Sequence, residues 1–249
     1  MIALVRLNDM YQFYKSEYRA NLMIKQYSNW FPVFPSVKLA GIIADLMSDG
    51  HLQGDPKWKI DYTSNSKKEL NLFGDEVFSL FQKKGKIRTC NTNNYGTMNY
   101  GVNCKMMARI LNLCGAPSGA KVLKKFNIPE WIISDKTYFK RFISRLFSGE
   151  GTVDQKYNFI EIQMHKSTNL IADGKKFFTQ IKDNLEKHFG IITTNPFTDT
   201  VVSYRKDGIQ TKPIRLKIKR KQSLIDFAKH IGFEDNNKQQ KLIKVISKF

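Results

Sequence analysis

The chain is poor in the residues that build many familiar sites. Its 249 residues include only three cysteines and four histidines. Cys90, Cys104 and Cys114 have no CxxC spacing and no histidine cluster near them in sequence. That excludes a zinc site and a disulfide framework, and the thiols read as core residues in a reducing compartment. The scattered histidines leave no HNH-type nuclease centre. A P-loop NTPase is excluded too, because the segment Gly115-Ala-Pro-Ser-Gly-Ala-Lys121 misses the GxxxxGK[ST] spacing. Long hydrophobic runs are also missing. Arg6 and Asp9 interrupt the apolar N-terminus before it could form a signal-peptide core, and no stretch reaches transmembrane length. The expected location is intracellular, in cytoplasm or nucleoid or in an organelle of a eukaryotic host, with no membrane partner.

Acidic residues are scarce relative to basic ones. Lys and Arg number 41 against 22 Asp and Glu, a net charge of +19. This exceeds what solubility asks of a small protein and points to a polyanionic partner. The charge is spread through the chain instead of forming one polybasic patch, which favours nucleic acid over a membrane surface. With 41% hydrophobic and 12% aromatic residues, the chain can bury a substantial core.

The same order of patterns occurs on both sides of about residue 125. An apolar helix, Leu39 to Gly50, opens the first copy, and Phe139 to Gly151 opens the second; both stop at an acid followed by glycine. In the first copy, Trp58–Tyr62 alternates as a strand. Residues 66–82 carry helical periodicity through Leu70, Phe73, Val77 and Phe81, strands follow at 85–91 and 97–103, and a helix through Met107 ends at Gly115. The second copy predicts strands at 151–155 and 158–164, a helix at 168–189, strands at 199–205 and 209–219, and helices at 221–231 and 237–248. Each half reads αββαββα, an α+β class of two pseudo-symmetric halves with antiparallel sheets. Residues 1–37 read as an appended helical segment around Tyr14, Tyr18 and Leu22, 38–125 as the first half and 126–249 as the second.

Helices on one face of a sheet leave the other free for a ligand, and that free face is expected to be basic. In Ile214–Lys219, apolar residues alternate with Arg215, Lys217 and Lys219, which places the cations about 6–7 Å apart along the strand. The competing explanation is an edge strand charged against aggregation.

The acids Asp49 and Glu150 fall in the last turns of their helices, where the macrodipole disfavours negative charge and a bound cation would reverse the sign. Asp-Gly alone carries no weight, since it recurs at 173–174 and 207–208 as apparent loop or turn chemistry. The two helix ends resemble the paired motifs of LAGLIDADG homing endonucleases, in particular the archaeal intron- and intein-type branch. Further likeness lies in Gly115–Lys121, Ile128-Pro-Glu-Trp-Ile132 and Ile231-Gly-Phe233, in the expected order, so that it covers roughly residues 38–248.

The resemblance implies a monomeric, metal-dependent cutter of double-stranded DNA. Its sheets would form a saddle on the DNA, and its two motif helices would pack along a pseudo-twofold axis. Asp49 and Glu150 would bind Mg²⁺, with Mn²⁺ or Ca²⁺ as substitutes, and each half would act on one strand to leave short 3′ overhangs. Ala40, Ala44 and Ser48 suit close helix packing. Arg145 departs from the small residue usual at its position and calls for a carboxylate partner, for which Asp45 is the candidate. Lys121 and Lys238 are the expected basic residues near the metals, with His165 and Lys166 as water-positioning groups in the second half. Base-reading positions are expected at Lys57, Lys59, Asp61 and Thr63, and at Glu161, Gln163, Arg205, Arg215, Lys217 and Lys219. A rival reading keeps the fold without cleavage, as an intron RNA maturase or a DNA-binding regulator. Retention of both acids favours the enzyme, because a pure binder would gain by losing negative charge beside phosphates.

Overall fold

A computed structural model describes residues 2–90 and 96–249. The chain divides into two compact units, Met1–Gly119 and Ala120–Phe249.

The first unit opens with a 3-10 turn at Leu7–Phe13, helix α1 (Glu17–Gln26) and a second 3-10 turn at Ser28–Trp30. The segment before residue 38 thus belongs to this unit. Then follow α2 (Val37–Met47), β1 (Gly50–Gln53), β2 (Lys59–Ser64), α3 (Lys67–Phe81), β3 (Lys86–Thr89), β4 (Met98–Val102) and α4 (Lys105–Leu113). The strands form one antiparallel sheet in the order β1-β2-β4-β3. Helix α2 is apolar on all sides and almost wholly buried, as such a composition requires. Ser36 starts it by accepting from the Leu39 N–H at 3.2 Å. Helix α3 is amphipathic and packs the face containing Leu70, Phe73, Val77 and Phe81, the four positions its periodicity marks. Phe73 stacks on Tyr62 at 4.9 Å and meets Tyr100 edge-on at 5.9 Å, joining helix to sheet.

The second unit contains α5 (Glu130–Ile133), α6 (Lys136–Glu150), β5 (Gly151–Asp154), β6 (Phe159–Ser167), α7 (Ile171–Phe189), β7 (Phe197–Thr198), β8 (Ser203–Tyr204), β9 (Gln210–Ile218), α8 (Lys221–His230) and α9 (Asn236–Ile246). Its sheet runs β5-β6-β9-β7, with β8 also paired to β9. With β7 and β8 counted as one interrupted strand, both units wind first-second-fourth-third, and the duplication seen in sequence is a duplication of sheet topology.

Several expectations change. Strand β1 was not marked by its short sequence, Gly50-His-Leu-Gln53, and exists because β2 pairs with it from Tyr62 to Lys59. Of the strand expected at 199–205 only β8 forms, and a second short piece, β7, precedes it: β7 pairs with Ile214–Arg215 and β8 with Gln210–Thr211, so each covers a different part of the long β9. The end of the strand expected at 85–91 lies outside the described residues. Asp173-Gly174 is not a loop. It sits inside α7, where a Cβ on residue 174 would come within 2.1 Å of the Ile214 side chain, so glycine lets the helix lie close on β9. Asp207-Gly208 is a turn as read, with φ of +79° at Gly208.

Candidate active site and nucleic-acid interface

The two acid-glycine helix ends share one construction. After α2 the chain turns at Ser48 and enters β1 at Gly50, leaving Asp49 exposed between buried neighbours. A Cβ at residue 50 would stand 2.6 Å from the Asp45 carbonyl oxygen and 2.9 Å from the Leu46 Cα; at residue 151 it would stand 2.4 Å from the Phe147 carbonyl oxygen. At both positions the strand begins against the backbone of the helix it has just left, which only glycine permits. A serine also bonds back to the helix near each end, directly before Asp49 in one unit and two residues before Glu150 in the other. Ser48 Oγ donates to the Asp45 carbonyl at 3.2 Å, and Ser148 Oγ donates to the Ser144 carbonyl at 2.7 Å. The acids, Asp49 exposed and Glu150 half-buried, thus each directly precede a glycine packed on helix backbone.

In the second unit a lysine meets the helix end. Lys238 Nζ donates to the carbonyls of Ser148 and, at 3.0 Å, Gly149, the two residues before Glu150. The link is reinforced by the Glu234 N–H donating to Ser148 Oγ at 2.7 Å and by Ser144 Oγ donating to the Gly232 carbonyl at 3.1 Å. A cation on these carbonyls offsets the negative end of the α6 dipole beside an acid that the dipole disfavours. Lys121 lies in the second unit as well, in a 3-10 turn at Lys121–Leu123. Asp45 in the first unit and Arg145 in the second are both buried, at 1% and 2% exposure.

Strand alternation assigns the sheet faces. In β2, Ile60, Tyr62 and Ser64 are buried, while Lys59, Asp61 and Thr63 share the open face. Cross-strand partners extend that face: Asp61 pairs with His51 and Gly101, Lys59 with Gln53, and Thr63 with Asn99. On β3, Lys86 pairs with Gly101 and Arg88 with Asn99. These two exposed cations were missed because β3 is too short to reveal which residues share a face. Lys57 lies in the turn before β2, and Lys59 pairs with Asp61 at 3.2 Å.

The second open face carries Glu161, Gln163 and His165 on β6 opposite Lys217, Arg215 and Pro213 on β9. It is not the row of free cations that was expected. Arg215 bridges Asp199 at 2.9 Å and Glu161 at 3.2 Å, and Lys217 pairs with Glu161 at 2.8 Å while lying over the Phe159 ring at 4.2 Å. Glu161, at 8% exposure, neutralises two of the predicted DNA-facing cations. Nor is β9 an edge strand, since it lies between β6 and β7, so protection against aggregation does not explain its charges. Arg205 is spent on Asp207 in the exposed turn beyond β8, and Lys219 lies just past the end of β9.

His165 and Lys166 are neighbours in β6 and therefore point to opposite faces. His165 remains on the open face, where burial and the nearby Arg215 lower its pKa against the opposing pull of Asp199. Lys166 turns inward at 3% exposure, donating to the carbonyls of Lys121 and Lys124, both at 2.7 Å, with its ammonium 3.7 Å from the centre of the Phe126 ring. Burial and Lys121 bring its pKa down to about 8. The inner lysine braces the turn that carries Lys121 and takes no part in the open face.

No protein-family model matches the chain. It is 27% identical over 229 residues to the DNA-directed RNA polymerase subunit Rpo1N of Methanocaldococcus jannaschii, a match covering 83% of this chain and 16% of that subunit. The chain thus spans about one sixth of the curated relative's length. Among solved structures, full-length WhiA from Thermatoga maritima superposes with a TM-score of 0.51 at 13% identity, over 88% of this chain and 63% of that one. I-DmoI in complex with DNA and Mn gives 0.49 at 16% identity, over 78% and 96%. The N-terminal LAGLIDADG domain of WhiA gives 0.48 at 14% identity, over 84% and 90%. The likeness is one of fold: an α+β arrangement of two antiparallel sheets of the LAGLIDADG type, shared with WhiA.

Proposed function

We propose that the chain is a site-specific, divalent-metal-dependent endonuclease for double-stranded DNA, with Asp49 and Glu150 as its metal-binding acids. The observation carrying this reading is the repeated helix end, one per unit, in which a glycine pressed against helix backbone holds an adjacent acid at the start of the sheet. Among the described residues, no group of three or more His, Cys, Asp or Glu could hold a metal within the protein alone. The donor set suits Mg²⁺, which binds through one or two carboxylates and takes its remaining ligands from water and substrate phosphates. When bound, such an ion would activate water and relieve charge at the scissile phosphate.

The chain's own residues orient the substrate. Lys86 and Arg88, exposed on the first open face, can meet phosphates, while Asn99, Thr63, Gln53 and Gln163 can present donors and acceptors to base edges. Lys238 supplies positive charge next to Glu150. The net charge of +19 supports a DNA partner. An alignment confined to one sixth of an archaeal polymerase subunit fits an element carried within a host gene, the intron- or intein-type setting. The chain acts as a monomer, its two units serving the two DNA strands.

The test is a cleavage assay on duplex DNA spanning the uninterrupted insertion site, with Mg²⁺, comparing wild type with Asp49→Asn and Glu150→Gln. Both variants should bind and neither should make double-strand breaks. Affinity should fall steeply with salt, as for roughly 6–10 phosphate contacts. Tight binding without any wild-type cutting would overturn the enzyme reading in favour of a non-cleaving DNA- or RNA-binding protein.

A further inference from the structure

The first unit contains a cavity of about 590 Å³ between its opening segment and α4. This lies within the range of roughly 300–1,000 Å³ usual for small-molecule sites. Its wall is amphipathic. Phe13, Tyr14, Leu22 and Met23 supply apolar surface, Lys15, Arg19, Lys105 and Arg109 supply four cations, and no acid lines it.

Arg109 shows what is missing. Its side chain is 7% exposed, and its Nε is buried without a hydrogen-bond partner. No carboxylate pairs with it among the described residues; instead its guanidinium carbon lies 4.6 Å from the Tyr14 ring centre, 5.2 Å from that of Phe13 and 5.6 Å from that of Trp58. The Tyr14 hydroxyl is likewise buried and unpartnered. A buried charge without a counter-ion is costly, and two orphaned polar groups on one cavity mark a place where an anion would restore the balance. Aromatic rings hold the guanidinium in position but satisfy none of its N–H donors.

We propose that this cavity binds a nucleoside phosphate, with its phosphate on Arg19, Lys15, Lys105 and Arg109 and its base against the Phe13, Tyr14 and Leu22 wall. Phosphate matches the forked donors of two arginines, and a planar base matches an aromatic wall with a stacked guanidinium. The site is separate from the open sheet face. It is built on α4, which packs on the buried side of β1 and β2, and it does not depend on whether Asp49 and Glu150 cut DNA.

The experiment is equilibrium binding to the full chain of adenosine 5′-monophosphate, inorganic phosphate, adenosine and a 5′-phosphorylated single-stranded oligonucleotide, followed by calorimetry. The monophosphate should bind at least about tenfold more tightly than either phosphate or adenosine. Arg19→Ala and Lys15→Ala, both at exposed positions, should each weaken it about tenfold or more, the loss of one charge-assisted contact. Arg88→Ala, on the open sheet face, should leave it unchanged. Arg109→Met should abolish binding, and if that variant misfolds, Arg19→Ala decides. Competition of the oligonucleotide for the same site would identify a strand terminus as the natural source, and its failure to compete a free nucleotide. Monophosphate binding no tighter than inorganic phosphate, or equal losses in Arg88→Ala and Arg19→Ala, would overturn the proposal.

Discussion

Replacing Gly151 by alanine places a methyl group 2.4 Å from the Phe147 carbonyl oxygen, where an ordinary contact begins near 3.4 Å. The obstacle is helix backbone, which cannot rotate away, so α6 and β5 must separate by about 1 Å. Forced overpacking of this kind costs roughly 1–3 kcal/mol. For a chain of this size, each kcal/mol lowers Tm by about 2–4 °C, giving a fall of roughly 2–12 °C. Glu150 is the residue next to the clash and moves with it. A misplacement of about 1 Å at a reacting centre costs on the order of 10²-fold in rate. Thermal melts, cleavage of a target plasmid with Mg²⁺ and gel shifts in Ca²⁺ separate the effects: lower Tm, about a hundredfold slower cleavage, retained binding. Gly208→Ala is the control, because residue 208 has φ of +79° and open space around its Cβ. It should cost about 1 kcal/mol of backbone strain without altering cleavage. Wild-type Tm and wild-type cleavage in Gly151→Ala would refute the claim that this glycine positions the acid.

Other expected outcomes follow from the same contacts. Lys166 loses its proton near pH 8 when folded but near 10.5 when unfolded, so its buried charge costs stability below pH 8 and the cost is relieved as pH rises to 10.5. The stability of wild type relative to Lys166→Met, from denaturant unfolding, should therefore rise across that window; a flat difference would show that the ammonium is well solvated. Arg215→Ala leaves the buried Glu161 with Lys217 as its remaining ion-pair partner and should cost about 1–3 kcal/mol. Adding Glu161→Gln should recover part of that loss, and additive losses in a double-mutant cycle would contradict the coupling. Lys238→Met removes charge-assisted bonds to the Ser148 and Gly149 carbonyls, with an expected cost of about 1.5–3 kcal/mol read from chemical denaturation. An unchanged midpoint would show that this cap is not needed.

Much of the architecture was legible along the chain because helix periodicity and strand alternation are local. Leu70, Phe73, Val77 and Phe81 announced α3, and Ile214, Leu216 and Ile218 announced β9 together with its buried face. The two acid-glycine helix ends could be found by repetition, since duplication places similar segments in similar order. Sequence alone could not show why the helix expected at 168–189 needs a glycine at residue 174. That depends on how closely α7 approaches Ile214, a contact between residues far apart in the chain. Pairing was hidden for the same reason: β1 and β3 are four residues each, and His51, Lys86 and Arg88 gain a face only from the register of their partners.

The sequence by itself determined the charge, the duplication, the α+β class and the acids at the two helix ends, because each is written in composition or in a short-range pattern. Tertiary structure decided which charges remain available. It turned Lys166 inward, closed Arg215 and Lys217 onto Glu161, brought Lys238 to the end of α6, and left Arg109 stacked on rings with no acid paired to it among the described residues. Ion pairing and burial depend on distances across the fold, and no linear spacing encodes them.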